Sequence, residues 1–163
     1  MRGLNNYHGV TEIIAGLQTV AVHRLKKTWA GMPEQSVELF KTLAELIDSQ
    51  GAYKAMRDEL KQSTPPCIPP MAMYLKDLIF IEDGNPDEIK SQPSQVPLVN
   101  FFKRRKVAEV ILKMREYQLS PYNFVQVPYL RDLLGHKLFE DGKLLNEDQM
   151  WKNSLKFEPR EQK

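Results

Sequence analysis

Four prolines within six residues, Pro65-Pro66-Cys67-Ile68-Pro69-Pro70, divide this chain into segments that cannot share one regular element. Proline lacks a backbone donor and clashes with the preceding helical turn, so a helix running into this segment has to stop. The stretch that follows, Met71 to Asp83, reads as a short apolar helix closed by Gly84-Asn85-Pro86. Its last two residues are acids, Glu82 and Asp83. Carboxylates there oppose the partial negative charge of a helix C-terminus, at roughly 0.3–1 kcal/mol each. A local rule broken inside an otherwise consistent pattern marks candidate functional residues.

Elsewhere the apolar residues keep a helical period. Val10, Ile13, Ile14, Leu17 and Ala21 recur at steps of three and four, as do Val37, Phe40, Leu43, Ala44 and Ile47 after a start at Pro33-Glu34. Tyr53, Met56 and Leu60 outline a shorter helix, and Val107, Val110, Ile111 and Met114 another stripe after the basic cluster Lys103-Arg104-Arg105-Lys106. Further helical pieces are expected near 126–135 and 146–156. No period-two strand stands out. Residues 84–98 hold three prolines among polar neighbours and read as a flexible connector, and residues 158–163 as a mobile tail. The expected fold is all-α: an irregular helical bundle with a protruding antiparallel hairpin over about residues 71–116.

Bulk numbers exclude several classes. The 163 residues make one domain's worth, 27% charged and 42% hydrophobic, with a net charge of only +2. That balance gives no reason to expect nucleic acid, and the short Lys103–Lys106 cluster lacks the wider basic face that such binding needs. The single cysteine, Cys67, excludes an internal disulfide and fits a reducing, cytoplasmic compartment. No apolar run reaches the roughly 18 residues of a membrane span, so no direct membrane insertion is expected. There is no glycine-rich phosphate loop, metal-ligand spacing or nucleophile elbow, so neither a cofactor, a metal nor hydrolytic chemistry is expected. Cys67 could be paired on paper with His8, His23 or His136, but nothing in the spacing brings them together. The P-x-x-P spacing within 65–70 reads better as a rigid connector than as a ligand for a proline-recognition domain.

On the helix from Met71, the residues Met71, Tyr74, Leu75 and Leu78 share the side expected to pack. Lys76, Ile79 and Asp83 fall within about 60° of one another on a different stripe. An isoleucine between a lysine and an aspartate is unusual for a purely solvated face.

Three segments in order, LNNYHGVTEIIAGLQTVAVHRLKKTW, PPCIPPMAMYLKDLIFIEDGNPD and VNFFKRRKVAEVI, with NSLKFEPR near the end, resemble the catalytic domain of Ras-type guanine nucleotide exchange factors. The resemblance covers nearly the whole chain and the C-terminal part of that domain. It implies a non-covalent exchange factor acting on a Ras-family small GTPase through the helical hairpin. Aligned on EDGNP, Ile79 matches the apolar residue that crowds the magnesium position of the GTPase. Asp83 matches the acid that takes the hydroxyl left by the α-phosphate, where relatives more often carry glutamate. By the same resemblance, Gln18, Tyr53, Thr11, Pro70, Lys76 and Lys106 are candidate partner-binding positions. Recruitment to membranes through the GTPase, or through domains outside this segment, is also implied. A non-catalytic helical module that binds a GTPase or another protein is the alternative.

Overall fold

The computed structural model describes residues 1–92, 94–137 and 144–160. Among them the regular elements are helices, apart from one short two-stranded ladder and an isolated bridge between Asn6 and Ile68. The helices are α1 (Tyr7–Gln18), α2 (Val20–His23), α3 (Lys26–Ala30), α4 (Glu34–Leu46), α5 (Lys54–Gln62), α6 (Met71–Gly84), α7 (Phe101–Gln118), α8 (Pro128–Asp132) and α9 (Glu147–Phe157). Strands β1 (Glu88–Lys90) and β2 (Pro97–Val99) pair antiparallel, with Glu88 opposite Val99 and Lys90 opposite Pro97. The stretch expected to be a connector thus contains this ladder. Proline is tolerated because it opens its strand.

The chain forms two compact units. One comprises Met1–Thr11 with Glu45–Pro121; the other comprises Glu12–Ala44 with the described residues from Tyr122 onward. In the first unit, Tyr7, Val10, Leu46, Met56, Leu60, Cys67, Met73 and Tyr74 are buried. The proline segment is fastened to the chain's start: Tyr7 N–H donates to the Ile68 carbonyl at 2.9 Å, and Ile68 N–H donates to Asn5 at 2.9 Å. Asn5 turns the chain with φ 53°, a left-handed conformation that asparagine tolerates. The Tyr7 hydroxyl meets Ser63 at 2.7 Å and Glu59 at 3.3 Å, so its buried polar end is satisfied. Pro69 and Pro70 are buried, and Pro70 is the N-cap residue of α6.

The second unit is organised around Arg24. Its guanidinium donates to the Ser154 carbonyl at 2.8 Å and the Glu158 carbonyl at 2.7 Å, and lies 5.3 Å from the Trp151 ring. The Glu158 carboxylate accepts from the backbone N–H groups of Lys27 (3.2 Å) and Thr28 (2.7 Å). An anion at a helix start suits the dipole, and these bonds hold the Glu158 carboxyl below the usual range against the opposing effect of burial. Glu158 is therefore bonded, although it opens the expected tail; residues 161–163 lie outside the described residues. Trp29 and Phe40 rings sit 5.0 Å apart, and Asn146 and Gln149 form a reciprocal capping box at the start of α9.

Some expected faces shift. Helix α1 ends at Gln18, and Ala21 belongs to α2 beyond a non-helical Thr19 with ψ 146°. Val10 and Ile14 are buried, but Ile13 is 52% exposed. On α6 the buried residues are Met73 and Tyr74, whereas Leu75 is 52% exposed. The apolar stripe read from sequence is broad, and the side facing the body is decided by where the proline segment aims the helix.

Candidate functional site

Helices α6 and α7 form an antiparallel hairpin in the first unit. At its base the Tyr74 hydroxyl donates to that of Tyr117 at 3.3 Å. At its tip the Lys103 ammonium donates to Glu82 at 2.8 Å and to Asp87 at 3.1 Å. The Lys103 side chain is only 2% exposed. Asn100 caps α7 by accepting from Lys103 N–H at 3.2 Å, while its amide donates to the Pro86 carbonyl at 2.8 Å. Asn85 donates back to the Ile81 carbonyl at 2.9 Å, which satisfies one of the orphan acceptors at the end of α6.

The acidic helix end and the basic helix start therefore meet, with a division of labour that sequence reasoning missed. Arg104 pairs with Asp87 at 2.8 Å, and Arg105 pairs within its own helix with Glu109 at 3.0 Å. Lys106 lies 4.4 Å from the Phe102 ring centroid and has no carboxylate partner among the described residues. Hydrogen bonds from Lys103, then its charge and that of Arg104, hold the Asp87 carboxyl below its usual range. Lys103 is raised in turn, first by its bond to Glu82.

The exposed stripe of α6 carries Ile79 and Asp83. Ile79 is 58% exposed. Asp83 is exposed and has no hydrogen-bond or ion-pair partner among the described residues. Lys76, on the same stripe, turns inward: its ammonium donates to the Ser49 carbonyl at 3.3 Å and lies 5.5 Å from the Tyr53 ring and 5.7 Å from the Phe80 ring. Phe80 and Lys106 line an open groove of about 580 Å³ on the hairpin.

Tyr53 closes a run of three left-handed residues, Gly51 (φ 60°), Ala52 (φ 57°) and Tyr53 (φ 59°). Such conformations cost non-glycine residues of order 1 kcal/mol each and persist where their surroundings hold them. Arg57 supplies that hold. Its Nε donates to the Ala52 carbonyl at 2.8 Å, and its terminal nitrogen meets both oxygens of Asp77 on α6, at 2.7 and 2.9 Å. The half-buried Tyr53 and the hairpin are thus tied together by a pair that no short-range pattern announces.

The remaining candidates have ordinary local roles. Pro70 is fully buried, so it bears on the site through the backbone it fixes. The Thr11 hydroxyl donates to the Tyr7 carbonyl one turn back, at 2.9 Å. Gln18 is exposed at the last position of α1, in the second unit. Cys67 is buried, which pushes its thiol up and makes it a poor nucleophile. The side chain of His136 lies outside the described residues. No cluster of potential metal ligands occurs among the described residues, and no described helix is long and apolar enough to cross a membrane.

Salt tests the tip pairing. Arg104→Glu faces Asp87 with a like charge at an exposed position, so the melting temperature should fall by no more than about 4 °C and recover partly at high ionic strength. Arg105→Glu should change little, because it breaks only a pair within α7. A salt-insensitive fall in Arg104→Glu, followed by circular dichroism, would mean that Arg104 acts through something other than this surface pair.

The RasGEF domain profile matches residues 1–105. A Danio rerio protein named Ras-specific guanine nucleotide-releasing factor 2 is 40% identical over 159 residues, 98% of this chain and 12% of that protein. The rat Ras-specific guanine nucleotide-releasing factor 1 is 35% identical over 98% of this chain and 12% of its own length. Ras guanine nucleotide exchange factor P of Dictyostelium discoideum is 36% identical over 161 residues, 99% of this chain and 10% of its own. The chain thus spans about a tenth of the length of these curated relatives. With the profile covering well over half of its residues and the hairpin in place, the chain belongs to the RasGEF domain family.

Proposed function

We propose that this chain promotes guanine nucleotide release from a Ras-family small GTPase by inserting the α6–α7 hairpin beside the magnesium and phosphate site. One observation carries the reading. Of the charged groups at the hairpin tip, Glu82 and Asp87 are neutralised internally, whereas Asp83 is exposed and unpaired one turn from an exposed Ile79. An unpaired acid next to an exposed aliphatic residue has no evident use in holding this fold.

The chemistry suits the task. A nucleotide held with nanomolar to picomolar affinity is bound by about 12–16 kcal/mol, much of it through its phosphates and Mg²⁺. A carboxylate presented where a phosphate sits repels that phosphate and competes for its donors. An aliphatic side chain near the metal displaces ligating water and offers no oxygen in return. Neither step makes or breaks a covalent bond. The hairpin need only favour the nucleotide-free state of its partner. The relatives' names, which specify Ras in several cases, support a Ras-subfamily GTPase as that partner.

The test is release of fluorescently labelled GDP from a panel of Ras-subfamily GTPases at rising concentrations of this chain. Accelerated, saturable release is expected for at least one of them. Binding without release by every member would replace exchange with a non-catalytic interaction module.

A further inference from the structure

We propose that Lys103 is a positioning residue for the hairpin tip: its buried ammonium, bridging Glu82 and Asp87, sets the place from which Asp83 meets the partner. The inference rests on the exchange reading above and adds a residue to it. Lys103 is the most buried charge of the basic cluster, 2% exposed at its side chain, whereas Glu82 and Asp87 are 60% and 59% exposed. A buried ammonium has to stay paired. Here its two partners flank the turn Asp83-Gly84-Asn85-Pro86, so one cation grips the chain on both sides of Asp83.

The turn has little else to hold it. Helix α6 has no basic residue in its last turn. A side-chain carbon added at Gly84 would meet nothing within 4 Å, so packing does not confine the chain there. What confines it is Lys103 together with Arg104, which also pairs with Asp87 at 2.8 Å, Asn85, whose amide donates to the Ile81 carbonyl, and Asn100, whose backbone N–H donates to the Asp87 carbonyl at 2.8 Å and whose amide donates to Pro86. The remainder of the hairpin is tied independently, through Tyr74 with Tyr117 and Arg57 with Asp77. Loss of Lys103 should therefore loosen the tip and leave the hairpin standing. It would also leave Glu82 without its cation, while Asp87 would keep only Arg104.

The experiment is a double-mutant cycle in the labelled-GDP release assay, using the full chain and a responsive Ras-subfamily GTPase, with melting followed by circular dichroism. Lys103→Met should lower the saturating release rate about tenfold, as expected when a functional group is misplaced by a fraction of an ångström to an ångström. The half-saturating concentration should stay within about twofold, because the surface outside the tip is unchanged. In an Asp83→Ala background the same substitution should slow release by less than about twofold, since it acts through Asp83. Glu82→Gln is the second variant: it releases the α6 end while Asp87 still neutralises the ammonium, so it guards against a misfolded Lys103→Met. It should slow release severalfold, again only when Asp83 is present, with the melting temperature unchanged. Equal losses with and without Asp83, a change confined to half-saturation, or native rates in both variants would each overturn the assignment. Asp83→Ala alone leaving release unaltered would instead overturn the exchange reading of the tip, and the role of Lys103 would fall with it.

Discussion

Asp83→Ala is expected to slow nucleotide release about 10- to 100-fold while leaving the nucleotide-free complex formed. The magnitude follows from what the carboxylate would do. A like charge juxtaposed with a phosphate in a desolvated interface costs several kcal/mol, and removing one preorganised group at such a site typically costs one to three powers of ten. The substitution should cost the chain little stability, because Asp83 is exposed and makes no bond among the described residues that its loss would break. Asp83→Glu keeps the charge and extends its reach by one methylene, so release should be at least as fast as native. Ile79→Ala separates the two halves of the mechanism. If the isoleucine acts at the metal, its loss should slow release in Mg²⁺ and have no effect once Mg²⁺ is chelated. Rates untouched by all three substitutions would mean that the tip of α6 is not the lever.

Much of this architecture was legible because helices are local. The proline segment, the Gly-Asn-Pro stop and the period of three to four place α6 at Met71–Gly84, one residue from the expected end. Helix α7 begins at Phe101, capped by Asn100, two residues ahead of the basic cluster that precedes its apolar stripe. The ladder between β1 and β2 was not legible. Each strand is three residues long, too short to show a period, and its partner is supplied from across a turn.

The electrostatics of the tip were half legible. The sequence places opposite charges at the two inner ends of the hairpin, and in the structure Glu82 is the α6 acid engaged. Arg104 and Arg105 do not engage it; they pair with Asp87 and Glu109. Successive residues rotate by 100° around a helix, so the four adjacent cations cannot all face α6, and only one reaches Glu82. That one is Lys103, and the choice depends on the helical phase of α7, which sequence order does not state. Arg57 with Asp77 was illegible for a similar reason: it joins elements twenty residues apart in sequence, and the left-handed run at 51–53 depends on the same arginine. Lys76 shows how far a side chain can depart from the stripe that carries it. Its stripe was correctly placed beside Ile79 and Asp83, but a lysine stem is long enough to bring the ammonium back over Tyr53.

The largest effect on stability is expected at Met56. Helix α5 is strongly polar and buries only two side chains, Met56, with no exposed surface, and Leu60 at 7%. Met56→Ala therefore removes about half of what anchors this helix through packing. Truncating a fully buried methionine typically costs about 2–5 kcal/mol, because the lost transfer energy is joined by the cavity left behind. For a chain of this size the melting temperature should fall by roughly 5–15 °C. The consequence would reach the site, since α5 carries Arg57, which holds both the Tyr53 turn and Asp77 on the hairpin. Well below its lowered melting temperature the variant should still exchange, because cavity formation does not remove Arg57 or its bonds. As temperature rises, exchange and the far-ultraviolet circular dichroism signal should be lost together. A fall of less than about 3 °C would show that α5 is held chiefly by its polar ties, Arg57 to Asp77 and Glu59 to Arg2 and Tyr7, and that burial of Met56 is incidental.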